Sequence, residues 1–337
     1  MRETESIAII GAGSWGTAIG SVLASKGYTT YLFGYNTDHI ERLIKEKENK
    51  KYLPGYIFNN YLLPTNDLKR CVKESTIICM VIPSHGFRKV FKKIILYLRK
   101  GSIVLSAVKG IENNSCMTMS QVMNEELQNL KQKKISTAVL SGPSFAREVV
   151  DQIPTAVTIG SNSIEVAQRL QKTFGTELFR VYASQDVIGL EISAALKNIV
   201  AIGAGICDGL GYGLNTRAAL ITRGLAEIKR LGIKLGAQEA TFSGLSGLGD
   251  LVLTCTGDLS RNRTVGIQLG KGKKLKEILK EMEMVAEGVK TTKSVHDLVQ
   301  QLKVEMPILE QVYQILYRDK NCSVAVKDLL KRDLKLE

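Results

Sequence analysis

The sequence predicts an α/β protein in which a doubly wound, mostly parallel sheet is followed by an all-helical C-terminal domain. Three observations carry this reading. Short apolar runs alternate with helical patterns through the first half of the chain, and the first run leads directly into the glycine pattern Gly11-Ala12-Gly13-Ser14-Trp15-Gly16. Beyond Asp186 the strand signals stop and only helical periodicity remains. With 337 residues, 44% of them apolar, the chain is long enough for two cores, and the change of pattern divides it into residues 1–187 and 188–337.

Strands are expected at 6–10, 29–33, 76–82, 102–108, 135–140, 155–160 and 178–182. Helical patterns separate them at 17–25, 38–49, 86–98, 117–130 and 164–174. The second half reads as helices around 186–207, 216–231, 274–282, 290–302, 308–317 and 324–330, with a further helical run opened by Ser260-Arg261-Asn262-Arg263.

The first strand, the GxGxxG turn, the helix after it and the second strand form the frame in which this glycine pattern has a physical meaning. Gly11, Gly13 and Gly16 permit a tight turn, a close backbone approach and close helix packing, and the helix N-terminus at Ser14 and Trp15 offers N–H groups to a pyrophosphate. At the end of the second strand, the acidic residue that would bind the adenosine ribose hydroxyls is missing. The chain reads Gly34-Tyr35-Asn36, and the first carboxylate, Asp38, is expected at the N-cap of the next helix. No arginine stands there for a 2′-phosphate, so NAD and NADP both remain open.

The formal charge of +13, from 46 basic and 33 acidic residues, is spread over helical stretches such as KVFKKIILYLRK and KGKKLKEILKE. With no aromatic-rich basic patch or nucleic-acid motif among them, solvated helix faces account for the excess and no nucleic-acid partner is expected. Six scattered cysteines form no CxxC pair, which points to free thiols in a reducing compartment. The N-terminus lacks the pattern of a secretory signal, so the expected location is cytoplasmic. His39, His85 and His296 show no metal-ligand spacing, and no metal is expected.

Chemistry is concentrated in a few places. The stretch from Asp186 to Cys207 is apolar all round, with Glu191 and Lys197 its only charges after Asp186. Its length is about the ~20 residues of a membrane span, but two mid-segment charges and the lack of a second such segment favour a buried core helix. Lys197 is then either a proton-transfer group with a lowered pKa or half of a buried ion pair. Lys109 follows a strand beside a glycine, where it either reaches a bound anion or carbonyl or sits on the surface before a turn. Gly142 and Ser144 follow another strand. In the second half, glycines surround Asp250, Thr254 follows, and Ser260-Arg261-Asn262-Arg263 opens either a phosphate-binding helix or a simple capped one.

Taken together, GAGSWGTA at 11–18, VKGIE at 108–112, SGPSFAREV at 141–149, PTAVTI at 154–159, LKNIVAIGAG at 196–205, SGLSGLGDLVLTCTGDLSRNR at 243–263 and VAEGVKT at 285–291 resemble the NAD(P)-dependent glycerol-3-phosphate dehydrogenases of the bacterial type. The resemblance is nearly full length. It implies a Rossmann-type N-terminal domain, a homodimer without integral membrane association, and reversible hydride transfer between NAD(P)H and dihydroxyacetone phosphate. The product, sn-glycerol 3-phosphate, would serve phospholipid synthesis, which weakly favours NADPH.

By the same resemblance Lys197 is the proton donor and acceptor, Lys109 a second catalytic lysine and Asp250 the residue that orients Lys197. Substrate contacts fall on Lys109, Gly142, Lys197, Asn198, Asp250, Thr254, Ser260, Arg261 and Asn262. Cofactor contacts fall on Gly11, Gly13, Ser14, Trp15, Gly16, Tyr35, Lys109, Ser144, Ala146, Arg261, Val285 and Glu287. Tyr35 departs from the arginine or histidine of many relatives. The rival readings are a two-domain dehydrogenase acting on a 3-hydroxy acid or a pantoate-type substrate, and a nucleotide-sensing protein without turnover.

Overall fold

The computed structural model describes residues 5–282 and 286–332. Among the described residues ten strands form: β1 (Ile7–Ile10), β2 (Thr30–Phe33), β3 (Glu48–Asn49), β4 (Leu53–Ile57), β5 (Leu62–Thr65), β6 (Ile77–Met80), β7 (Ile103–Ser106), β8 (Ser136–Ser141), β9 (Thr155–Gly160) and β10 (Phe179–Ser184). Eight of them make one sheet in the order β10-β9-β8-β7-β6-β1-β2-β5, while β3 and β4 pair as a separate hairpin. From β8 to β5 every pairing is parallel. β1, β2, β6 and β7 are buried at every residue, as strands covered by helices on both faces must be.

The mostly parallel sheet is thus present, with its direction reversed at one edge. β9 joins β8 antiparallel and β10 then follows β9 in parallel. Only the five-residue helix Ala146–Val150 lies between β8 and β9, so the chain turns back instead of making a full helical crossover. The strands the sequence did not signal are short and interrupted. β5 reads LLPT and tolerates Pro64 because it is an edge strand, and β4 reads LPGYI with Gly55 at φ +81°.

The helix expected at 38–49 runs only from Thr37 to Glu46. Lys47 adopts a left-handed conformation that ends it, and Glu48–Asn49 is taken into the hairpin. Its N-cap is Asn36, whose side chain accepts from the His39 N–H; Asp38, expected as the cap, lies inside the first turn instead.

The chain divides into two compact units. One runs to Val108 and resumes from Met119 to Leu190; the other comprises Lys109–Thr118 and the chain from Glu191 onward. The short segment that carries Lys109 therefore belongs with the helical unit and not with the sheet that precedes it. The helical unit contains the helices Leu214–Lys234, Asp250–Thr256, Arg261–Gly270, Leu275–Glu281, Glu287–Leu302, Pro307–Arg318 and Cys322–Leu330, together with most of Val187–Gly209. Val187–Gly209 is long and apolar enough to cross a membrane by composition, but 94% of its most apolar window is buried within the protein.

Candidate active site

Lys197 sits on the Val187–Gly209 helix with only 5% of its surface exposed, so its ammonium needs partners to remain charged. It has two: Nζ donates to Asp250 Oδ1 at 2.6 Å and to Thr254 Oγ1 at 2.6 Å. The Thr254 hydroxyl donates in turn to the Asp250 carbonyl one helical turn back, at 2.6 Å, which leaves its oxygen turned to the lysine. Lys109 Nζ donates to the other carboxylate oxygen, Asp250 Oδ2, at 2.8 Å. One fully buried carboxylate therefore holds two ammonium groups.

The local sequence explains how Asp250 is placed. A π-type turn at Leu245–Gly249 leads into the Asp250–Thr256 helix, and such turns recur at functional sites. Gly247 is needed within it, because a Cβ there would lie 2.1 Å from the Phe242 carbonyl oxygen. Asp250 falls in the first turn of its helix, where the backbone dipole favours a negative charge.

The Lys197 pKa is lowered to about 8, chiefly by burial; the Asp250 carboxylate works against this shift and the nearby Lys109 cation adds to it. For Asp250, burial opposes ionisation, but the ammonium groups of Lys109 and Lys197 overcome it and hold the carboxyl below its usual range. The pair can thus store a proton on Lys197 near neutral pH while Asp250 stays ionised.

Ser260 caps the Arg261–Gly270 helix, accepting from the Arg263 N–H at 3.3 Å. Arg261 keeps more than a third of its surface exposed, and partial desolvation of its guanidinium lowers its pKa, opposed by the Glu287 carboxylate. Asn262 is also buried, and its Oδ1 accepts from the Gly288 N–H at 2.9 Å, which leaves the amide NH2 as the half able to donate to an anion. Gly288 is tightly enclosed, since a Cβ there would stand 2.7 Å from Asn262 Oδ1 and 2.8 Å from the carbonyl oxygen of Asn198. Glu287 opens the Glu287–Leu302 helix, and Val285 lies outside the described residues.

The glycine turn lies in the other unit, at the C-terminal end of β1. Gly11 has φ +128°, and a Cβ there would sit 2.1 Å from the Val81 carbonyl oxygen; one at Gly16 would sit 1.8 Å from the Gly11 carbonyl oxygen. Gly13, by contrast, faces open space and is the N-cap of the Ser14–Ser25 helix, with no side-chain cap over its N-terminus. Backbone packed tightly below and open above, at an uncapped helix N-terminus, fits the pyrophosphate of a dinucleotide. The Trp15 Nε1 and Ser141 Oγ atoms in this unit are buried without partners. Gly142 has φ +134°, Ser144 Oγ donates to the Gly142 carbonyl at 3.0 Å, and Ala146 opens a short helix. Tyr35, just past β2, is 88% exposed.

Sequence reasoning passed over one buried contact here. Asn49, fully buried, donates from Nδ2 to the Ala12 carbonyl at 3.1 Å and to Thr17 Oγ1 at 2.8 Å, tying the β3 strand to the glycine turn. His39, read as incidental, has Nε2 at 3.4 Å from the same carbonyl. A lone asparagine after a charged helix gives no signal of this. Arg263, read in the sequence as one of the cations of the Ser260-Arg261-Asn262-Arg263 motif, turns its side chain away from the Ser260–Asn262 cluster and donates to Asp208.

Residues 6–167 match the sequence profile described as NAD-dependent glycerol-3-phosphate dehydrogenase N-terminus, and residues 186–327 match the corresponding C-terminus profile. The chain is 56% identical over 335 residues to the glycerol-3-phosphate dehydrogenase [NAD(P)+] of Desulfotalea psychrophila, covering 99% of each chain. Among solved structures, it superposes on glycerol-3-phosphate dehydrogenase from Coxiella burnetii with a TM-score of 0.93 at 41% identity, over 98% of this chain and 99% of that one. The yeast glycerol-3-phosphate dehydrogenase aligns with a TM-score of 0.83 at 28% identity, over 98% of this chain and 100% of that one.

Proposed function

Because this chain belongs to the NAD(P)-dependent glycerol-3-phosphate dehydrogenases of the bacterial type, and is thus an oxidoreductase acting on a CH–OH group, we propose that it reduces dihydroxyacetone phosphate reversibly to sn-glycerol 3-phosphate. The observation that carries this reading is the buried cluster of Lys197, Asp250, Thr254 and Lys109. It supplies a proton at a pKa of about 8 beside a fixed negative charge.

The bound dinucleotide supplies the hydride. As negative charge develops on the carbonyl oxygen, the Lys197 ammonium stabilises it and then gives up a proton to form the alcohol. Asp250 keeps Lys197 and Lys109 oriented, and Thr254 limits the directions Lys197 can take. In the oxidative direction, neutral Lys197 removes the hydroxyl proton as hydride leaves the carbon. Arg261 and the Asn262 amide, with Ser260 beside them, bind the phosphate, and Asn198 lines the substrate. The glycine turn of Gly11, Gly13 and Gly16, with Ser14 and Trp15, holds the pyrophosphate. Tyr35, Ser144 and Ala146 contact the cofactor elsewhere.

Tyr35 supplies neither a carboxylate for the ribose hydroxyls nor a cation for a 2′-phosphate, so both cofactors are accepted, with NADPH favoured by a reductive role in phospholipid synthesis. We read the protein as a cytoplasmic homodimer. Its six free cysteines suit a reducing compartment. Steady-state reduction of dihydroxyacetone phosphate, followed by nicotinamide absorbance with NADH and with NADPH, tests the reading. Turnover with either cofactor supports it; no oxidation of either, alongside activity on a 3-keto acid, overturns it.

A further inference from the structure

The helices carrying Lys197 and Arg261 are joined by contacts that the proposed chemistry does not use. Arg263 Nε donates to Asp208 Oδ2 at 2.8 Å, and its Nη1 donates to Asp258 Oδ1 at 2.8 Å. Asp208, near the end of the Lys197 helix, accepts at Oδ1 from Arg217, with Nη2 at 2.6 Å and Nε at 3.0 Å. Asp208 and the Arg263 side chain are mostly shielded from water, and removing Arg263 leaves Asp208 paired with Arg217 but no longer tied to the Arg261 helix.

Beneath this ion pair the two helices touch backbone to backbone. A Cβ at Gly205 would lie 2.0 Å from the Arg263 carbonyl oxygen, at Gly266 2.1 Å from that of Ile202, at Gly209 2.3 Å from that of Ile267, and at Gly270 2.5 Å from that of Ile206. The pairs advance together along both helices, which therefore run side by side in the same direction. Arg261 and Asn262 then lie nearly level with Val200 and Ala201, about one helical turn, or ~5 Å along the axis, from Lys197. Glycine contact brings the helices close, but a smooth backbone seam resists sliding weakly. The Arg263–Asp208 pair bridges the two helices beside this seam.

We propose that Arg263, acting through Asp208, is a positioning residue that sets the axial distance between Lys197 and the Arg261–Asn262 pair. The spacing suits a substrate whose carbonyl and phosphate are separated by one methylene. This rests on the reduction proposed above, and it assigns Arg263 no contact with substrate. The test is steady-state kinetics of the Arg263→Lys and Arg263→Met variants with dihydroxyacetone phosphate, using inorganic phosphate as a competitive inhibitor.

In Arg263→Met the phosphate inhibition constant should stay within about twofold of the wild type, because inorganic phosphate occupies only the Arg261–Asn262 pair, whereas kcat/KM for dihydroxyacetone phosphate, which must reach both the pair and Lys197, should fall roughly ten- to a hundredfold. Arg263→Lys should fall between it and the wild type, because an ammonium can still pair with Asp208. If kcat/KM stays at the wild-type value while only Tm falls, Arg263 is merely structural and the proposal is overturned; a matching rise in the phosphate inhibition constant would place Arg263 in the phosphate site itself and overturn it as well. Should Arg263→Met fail to fold, Arg263→Lys alone decides by the same criterion. The two failures separate cleanly: absent wild-type turnover overturns the reaction and the proposal with it, whereas normal turnover with unchanged variant constants overturns only the positioning role.

Discussion

Asp250 Oδ1 accepts a hydrogen bond from Lys197 Nζ at 2.6 Å, and both groups are almost fully withdrawn from solvent. A buried ion pair would serve structure alone if its partners were otherwise saturated. Here the carboxylate is shared with Lys109 at 2.8 Å, and burial leaves Lys197 with a pKa of about 8. Lys197→Met should lower kcat by about 10²- to 10⁴-fold, the usual range for a lost general acid, while the dissociation constant for NADPH measured by fluorescence stays near the wild-type value. Retention of turnover in this variant would remove Lys197 from the proton-transfer step.

The two neighbours of Lys197 act on its pKa with opposite signs, and the pH profile should show it. Reduction needs protonated Lys197, so its rate should fall as pH rises through about 8. Lys109 lowers that pKa and Asp250 raises it. The basic limb of kcat for reduction should therefore move to higher pH in Lys109→Met and to lower pH in Asp250→Asn, measured with saturating cofactor. Shifts in the same direction would contradict this electrostatic arrangement.

The glycine turn and the apolar lysine helix were legible in the sequence because each depends on a local pattern. Gly11, Gly13 and Gly16 constrain one turn, and the residues around Lys197 bury one helix on all sides. What joins Lys109 to Asp250 was not legible from spacing, since 141 residues separate them and only tertiary packing brings them together. The same holds for the reversal at β9, where a short connection decides strand direction, and for Pro64, which masks an edge strand that needs no further partner. Arg263 shares a motif with Arg261 but serves a different partner, a distinction that sequence order cannot carry.

Asn49 should matter for the cofactor without touching the reaction. Its Nδ2 holds the Ala12 carbonyl and Thr17 Oγ1, one on each side of the glycine turn. Asn49→Ala leaves a buried carbonyl with one donor fewer, at a cost of about 1–3 kcal/mol, and loosens the turn. The KM for NADPH should rise severalfold, with kcat at saturating cofactor preserved. An unchanged cofactor KM beside a lowered Tm would make Asn49 a purely structural residue.

Glu227 should give the fold its own pH dependence. Its buried carboxylate accepts from the N–H groups of Ile308 and Leu309 at the start of the Pro307–Arg318 helix. Burial raises its pKa from 4.5 to about 7, so the folded state binds this proton more tightly than the unfolded chain. The resulting contribution to stability is full below pH 4.5 and is lost as pH rises toward 7. Glu227→Gln removes the titration, so its Tm relative to the wild type should improve as pH climbs through that window. A constant Tm difference across the window would show that Glu227 does not titrate there.

Tyr35 offers a direct handle on cofactor choice. It stands just past β2, where the adenosine ribose of a dinucleotide is expected, and it is 88% exposed, so replacing it disturbs no core packing. An arginine there could pair with the 2′-phosphate of NADPH and would leave the ribose hydroxyls of NADH without a charged partner. Tyr35→Arg should raise the ratio of kcat/KM for NADPH over NADH by about tenfold, the effect of ~1.4 kcal/mol, through KM and not kcat. Wild-type protein should use both cofactors with a smaller NADPH preference. If the ratio does not move, Tyr35 lies away from the ribose, and the preference must be set by other residues of the glycine-turn unit.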